Sequence, residues 1–252
     1  MSDLALRQRS STELVDATFQ LYRKDPLPFL LAGAVVYVPW LLVRLVFGFG
    51  LDSRTADLGE TFGSAIGLLI VYAIASAASS VLTRDVYFNR PADFASALKA
   101  TVPKLGAIIV ATVITFVIYV IAIVLLIFPF FFAVTRLFAL RQAIMLEDKS
   151  VFAALSRTSH LARGVMGHVF LTLFLVALIT IAINIGAGML ALVMPSLILQ
   201  NVFTTVVTTI IFPLFAITET LLYYDIRIRK EGFDVEYLAT GDNGAVSTPL
   251  AS

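Results

Sequence analysis

Cysteine is absent from the 252 residues of this chain. Its absence excludes disulfides, thiolate nucleophiles and cysteine-ligated zinc or iron–sulfur centres. Charge is also scarce, since 14% of the residues are charged, against about 25% in soluble domains. The formal net charge of +1 gives no broad basic field, so we expect no nucleic-acid partner.

Histidine is nearly absent as well, with only His160 and His168 in the whole chain. A metal or acid–base site would need further ligands beside them, and the sequence offers none at a suitable spacing. We therefore expect an ordinary interfacial role for both histidines, and neither a metal nor a cofactor. The apolar stretches carry no nucleophile–base pair or acidic cluster, so the sequence predicts a non-enzymatic protein.

Apolar residues make up 59% of the chain, and the mean hydropathy is +0.94. A helix needs about 20 mostly apolar residues to cross a bilayer, because each residue rises about 1.5 Å. Stretches 27–50, 61–83, 105–135 and 169–218 meet that requirement. The predicted fold class is an all-α integral membrane bundle.

The number of spans depends on the two longest stretches. Stretch 169–218 has Pro195 close to its middle and predicts a helical hairpin. Stretch 105–135 is too long for one span and too short for two, and Pro129 favours a break because proline lacks an amide donor. A second arm reaching residue 147 would contain Arg136 and Arg141; one long kinked helix over 105–147 is the alternative.

Basic residues cluster before the first span, at 84–104, at 149–163 and at 227–230, and Arg54 alone lies in a loop predicted outside. Positive residues near span ends stay on the cytoplasmic side. Six spans put all four clusters inside, so we predict spans at 27–50, 61–83, 105–128, 129–147, 167–194 and 196–225. Residues 1–26 and 226–252, a basic segment with a disordered tail, are then cytoplasmic.

A short amphipathic helix is predicted before each of the three hairpins, at the membrane interface. The first follows the capping-box pattern Ser10-x-x-Glu13, the second covers 91–102 and the third covers 151–164. Their apolar faces are predicted from Leu14, Val15, Thr18, Phe19 and Tyr22; from Phe94, Leu98, Thr101 and Val102; and from Phe152, Leu155 and Ala162.

Three segments together resemble a bacterial family. They are STELVDATFQLYR from Ser11, VFAALSRTSHLARG from Val151 and LLYYDIRIRKEGFD from Leu221. They are similar to the membrane-domain family named after glycerophosphoryl diester phosphodiesterases. The resemblance implies a multi-pass fold and a location in the bacterial cytoplasmic (inner) membrane. It carries no activity across, because no soluble stretch is long enough for the hydrolase barrel of about 250 residues.

Ionisable residues within the spans cost a few kcal/mol each unless they are paired, hydrated or able to snorkel. Arg44 can snorkel from its span end. Arg136 has no acidic residue at its own depth, so it is the candidate contact for an anionic headgroup or ligand; a structural cation bonded to carbonyls is the alternative. Arg141 and Glu219 each lie about 9 Å from the cytoplasmic ends of their spans, which predicts an intramembrane ion pair.

Small residues predict close helix packing at Gly63 and Gly67, spaced as Gly-x-x-x-Gly, and at Gly186 and Gly188. Contacts within the chain and contacts in a homo-oligomer both fit this pattern.

Two hypotheses for function follow. The first is a non-enzymatic scaffold or accessory subunit that anchors lipid headgroups or a partner protein. The alternative is a transporter or lipid-handling protein with a polar cavity near Arg136. Membrane lipids are the expected partners in either case, together with a protein partner or a second copy of the chain. A cavity that reaches Arg136 favours the alternative, and a solid core favours the scaffold.

Overall fold

The computed structural model describes residues 6–47, 58–125 and 127–240. All regular structure within these ranges is helical, which agrees with the predicted all-α class. The helices are α1 (Ser11–Lys24), α2 (Pro26–Phe47), α3 (Leu58–Tyr87), α4 (Phe94–Thr101), α5 (Leu105–Val124), α6 (Ile127–Leu137), α7 (Leu140–Leu146), α8 (Val151–Ala162), α9 (Met166–Leu192), α10 (Leu197–Glu231) and α11 (Phe233–Thr240). A 3₁₀ turn at Val102–Lys104 joins α4 to α5.

Six helical segments among the described residues are long and apolar enough to cross a membrane. They are Pro26–Val46, Ile66–Tyr87, Phe94–Val124, Pro129–Leu146, Met166–Leu192 and Leu197–Glu231. The protein is therefore a multi-pass membrane protein, and its spans follow one another as helical hairpins.

The region from 105 to 147 forms two spans. Lys104 Nζ donates hydrogen bonds to the carbonyls of Ile144 at 3.1 Å and Met145 at 2.9 Å. The rings of Tyr119 and Phe130 also lie 5.6 Å apart across the reversal. Both ends of the segment meet at one side of the bundle, which excludes one long kinked helix.

The span ends differ from the predicted ones at two places. The third span stops at Val124 and the next helix begins at Ile127, so the reversal precedes Pro129. A proline in the first turn costs little, because the amides of that turn have no partner within the helix. The sixth helix continues past Asp225 to Glu231 and ends where Gly232 adopts the left-handed conformation, with φ of 64°.

The three short helices form, but the bundle itself covers much of their apolar surface. Ser10 and Glu13 make the predicted capping box on α1, which buries Leu14. Phe94 of α4 packs against the main core as well. On α8, Phe152 is 79% exposed, whereas Ala154, Thr158 and Leu161 are buried against the bundle. Contact of the predicted apolar face with the membrane interface stays a prediction.

Burial is uneven along the bundle axis. From Ile211 to Ile228, every residue of α10 except Phe215 is buried. We call α1, α7, α8 and residues 211–228 of α10 the core layer. Residues 181–192 of α9 and 197–210 of α10 form what we call the thin layer, in which Ala187, Ala191 and Asn201 are the buried positions.

Candidate ligand-binding cavity

A cavity of about 380 Å³ lies where the core layer meets the membrane-spanning hairpins. Side chains from α3, α5, α6, α7, α9 and α10 line it, and phenylalanines make up much of its wall: Phe116, Phe130, Phe138, Phe170, Phe174 and Phe215. Clefts of about 300–1,000 Å³ with apolar walls and a few placed polar groups are typical of small-molecule sites.

The polar end of the cavity is the ion pair predicted from depth. Arg141 Nη2 donates to Glu219 Oε2 at 2.6 Å, and the two side chains are 17% and 7% exposed. Tyr72 also contacts the cation, with its ring centroid 5.6 Å from the guanidinium carbon. A guanidinium carries five N–H donors, more than these two neighbours occupy, so donors remain for a molecule that enters the cavity.

Hydroxyl groups on α5 add a second polar patch. Thr112 and Thr115 both line the cavity, and their spacing of three residues puts them on one side of the helix. Thr112 is 8% exposed, and its hydroxyl has no hydrogen-bond partner in the described part of the chain. A buried hydroxyl without a partner costs free energy, so it favours a ligand that can bond to it.

The cavity opens to the side of the bundle. Phe116 on α5 and Phe174 on α9 line it, yet they are 51% and 45% exposed. Both residues lie within helices long and apolar enough to cross a membrane, so the opening lies between membrane-spanning segments. A ligand can therefore reach Arg141 sideways from the bilayer.

A break in the fourth span shapes this end of the cavity. The span is split between α6 and α7 at Phe138 and Ala139. The freed amide of Ala139 donates to Thr158 Oγ1 of α8 at 3.2 Å. Unwound backbone at membrane depth is tolerated where protein groups satisfy it, and Arg141 lies one residue into the helix that restarts.

The cavity does not include Arg136, contrary to the prediction. Arg136 is exposed and is not among the lining residues, whereas Val134, Leu137 and Arg141 are. The reason is helix rotation: depth along a span can be estimated by counting residues, but the direction of a side chain depends on tertiary packing. No hydrogen bond or ion pair joins Arg136 to another described residue, so its charge stays available to a partner.

The glycine prediction is wrong for packing within the chain. A Cβ atom added at Gly67, Gly186 or Gly188 would meet no heavy atom within 4 Å, so these glycines face open space. Gly63 lies outside the residues whose side chains are described. The close contact occurs at Gly33, where a Cβ would overlap the carbonyl oxygen of Thr209 on α10. A lone glycine carries no spacing signal, so this contact could not be read from the sequence.

Sequence reasoning also missed a buried polar cluster around Asp225, whose side chain is fully buried. Its carboxylate accepts hydrogen bonds from the Arg9 backbone amide and from Arg229 Nε, each at 2.6 Å. It also lies 3.0 Å from His168 Nε2. Ser11 Oγ lies 3.1 Å from the other ring nitrogen of His168. These groups belong to α1 and the residues just before it, to α9 and to α10, and none of them lines the cavity. The cluster fastens the first helix to the bundle.

A second cluster connects α8 to the end of α10. Arg157 bonds to both carboxylates beside it, Glu147 at 2.8 Å and Glu231, and Tyr223 donates to Glu147 at 2.5 Å. Burial disfavours the charged guanidinium, but the hydrogen bonds that Arg157 donates to Glu231 and Glu147 outweigh this effect and raise the pKa of Arg157. These bonds hold α8 in place, and α8 in turn holds the break in the fourth span.

Comparisons of the chain with protein-family models, with curated proteins and with solved structures find no match. The resemblance to the phosphodiesterase membrane-domain family therefore stays a prediction from the three sequence segments.

Proposed function

We propose that this protein is a non-enzymatic, lipid-handling protein of the bacterial cytoplasmic membrane, and that it takes an amphiphilic molecule from the bilayer into the cavity at Arg141. The observation that carries the proposal is the cavity itself, with aromatic walls, a lipid-facing opening and a polar end. An apolar tail fits the walls and gains free energy from burial, while a polar group at the end can bond to Arg141.

The orientation in the membrane belongs to the proposal. The basic clusters place both termini in the cytoplasm, because positive residues near span ends are retained there. The ion pair then lies about 9 Å inside the membrane from the cytoplasmic end of the fourth span. A lipid of the inner leaflet can reach it with its polar group close to its normal depth.

The proposal can be tested by filling the cavity. Ala177 on α9 lines it, so Ala177→Trp should occupy the space that a lipid tail needs. Ala182 lies on the same helix, exposed and away from the cavity, so Ala182→Trp is the matched control. Native mass spectrometry of protein purified from bacterial membranes would measure retained lipid, and we expect about tenfold less on Ala177→Trp than on wild type or Ala182→Trp.

Equal lipid retention by wild type and both variants would contradict the proposal, because that lipid would be bound at the outer surface. Absence of retained lipid from wild type in mild detergent, with the protein folded, would also contradict it.

A scaffold or accessory-subunit function is the second candidate, and the exposed cation Arg136 favours it. An unpaired charge at this depth has a high cost unless an anionic headgroup or an acidic partner residue neutralises it. The same purification distinguishes the two functions. A stoichiometric protein partner retained equally by both tryptophan variants, without any lipid in the cavity, would favour the scaffold.

A further inference from the structure

The charges around the cavity already balance one another. Among the described residues that line it, Arg141 and Glu219 are the only charged ones, and they form an ion pair at 2.6 Å. A ligand with a net charge would bring an uncompensated charge into apolar surroundings, at a cost of several kcal/mol. An uncharged polar group would enter without that cost, and it could accept hydrogen bonds from the N–H groups of Arg141 that Glu219 does not occupy.

Thr112 and Thr209 are the described threonines whose buried hydroxyl oxygens have no hydrogen-bond partner, and of the two only Thr112 lines the cavity. Thr83, Thr172 and Thr220 each donate to the carbonyl four residues earlier, at 2.7–2.9 Å. Such internal bonds are the usual way for a threonine in a membrane helix to satisfy its hydroxyl. Thr112 lines the cavity, and its hydroxyl oxygen makes no such bond although it is buried. A ligand would bond to this hydroxyl once the side chain turns it toward the cavity.

We infer, on the basis of the proposed function, that the ligand is an uncharged lipid whose hydroxyl or ester groups bond to Thr112 and Arg141. A hydroxyl can donate to and accept from Thr112, and an ester carbonyl can accept from Arg141. Thr115, one turn away on the same wall, is placed to bond to a second hydroxyl. A monoacylglycerol has this chemistry, with one tail, one ester and two neighbouring hydroxyls.

A pair of lipids that differ in one group can test the inference. Protein in phosphatidylcholine nanodiscs would be titrated with 1-oleoylglycerol or with oleoyl lysophosphatidic acid, which adds a phosphate to the same tail and glycerol. Native mass spectrometry would measure the bound fraction. We expect 1-oleoylglycerol to bind at least about tenfold more tightly, and Ala177→Trp to abolish that binding.

The substitution Thr112→Val removes the hydroxyl and keeps the shape of the side chain. We expect it to weaken 1-oleoylglycerol binding about fivefold to tenfold, the effect of one hydrogen bond. Thr83→Val is the control, because that hydroxyl is bonded within α3 and lies away from the cavity. The thermal stability of lipid-free Thr112→Val should equal or exceed that of wild type, since a hydroxyl without a partner has been removed.

Two outcomes would contradict this inference and leave the proposed function intact: tighter binding of lysophosphatidic acid that still requires an open cavity, or unchanged 1-oleoylglycerol binding by Thr112→Val. A different outcome would overturn the proposed function together with the inference. In that case neither lipid would bind to wild type more tightly than to Ala177→Trp.

Discussion

The core layer and the thin layer share helix α10 but satisfy their polar groups in different ways. In the core layer, buried side chains bond to groups from distant parts of the chain: Asp225 accepts from the backbone amide of Arg9 and contacts His168 of α9. In the thin layer, Asn184 donates to Thr180 and Asn201 donates to Leu197, each within its own helix. One layer has buried networks like those of a water-soluble protein. The other buries few residues, although Gly33 and Tyr22 contact it at Thr209 and Ile210.

The difference shows where lipid replaces protein as the packing partner. Apolar helix surface loses nothing when it faces acyl chains, so the thin layer needs no dense core. Arg141 and Glu219 are core-layer residues that line the cavity, and we take the cavity as the boundary of that layer. There the helices separate enough to leave a space, while charged groups still need partners. A lipid site is expected at such a boundary, because both tail and polar group find suitable surroundings.

The largest effect is expected from breaking the boundary ion pair. Arg141→Leu or Glu219→Leu leaves one buried charge without its partner, and we expect each to lower the free energy of unfolding by about 3–5 kcal/mol. The double substitution leaves no charge unpaired and should cost less than the sum, with a coupling of about 2 kcal/mol. Reversible unfolding in mixed micelles would measure all four proteins.

Additive effects of the two single substitutions would show that the pair contributes no coupling. Arg141 and Glu219 would then be solvated separately, and the cavity alone would distinguish this region from the thin layer.

The ion pair could be predicted because residue counting gives depth along a helix, and each charge needed a partner at its level. The break at Phe138 and Ala139 could not, because the segment Leu137-Phe138-Ala139-Leu140 contains neither proline nor glycine. Thr158 of another helix satisfies the amide there, and a contact of that kind leaves no local pattern. For the same reason the exposed direction of Arg136 and the bonds to Asp225 were missed.

A smaller effect is expected within the core layer at Asp225. The substitution Asp225→Asn keeps the size of the side chain but loses the charge-assisted bond from Arg229 and the contact with His168. We expect the free energy of unfolding to fall by about 2–3 kcal/mol, because charge-assisted hydrogen bonds are stronger than neutral ones. The same unfolding measurement would detect it.

Asn184→Leu is the thin-layer counterpart of that substitution. The side-chain amide of Asn184 is exposed and donates only to the Thr180 carbonyl of the same helix. We therefore expect the free energy of unfolding to change by no more than about 0.5 kcal/mol. A loss as large as that of Asp225→Asn would mean that the thin layer has a polar partner, in a second copy or another protein, and the contrast between the layers would fail.

Two glycines compare the two kinds of helix contact directly, and Gly186→Ala among them is expected to have the smallest effect of all. A Cβ at Gly33 would overlap the carbonyl oxygen of Thr209 and lie 3.2 Å from its carbonyl carbon. Backbone on both sides leaves little room to adjust, so Gly33→Ala should cost about 1–2 kcal/mol. Gly186→Ala adds the same methyl group in open space and should leave the monomer unchanged. If Gly186→Ala instead dissociates an oligomer seen by native mass spectrometry, the glycines of α9 pack against a second copy, and the thin layer is covered by protein.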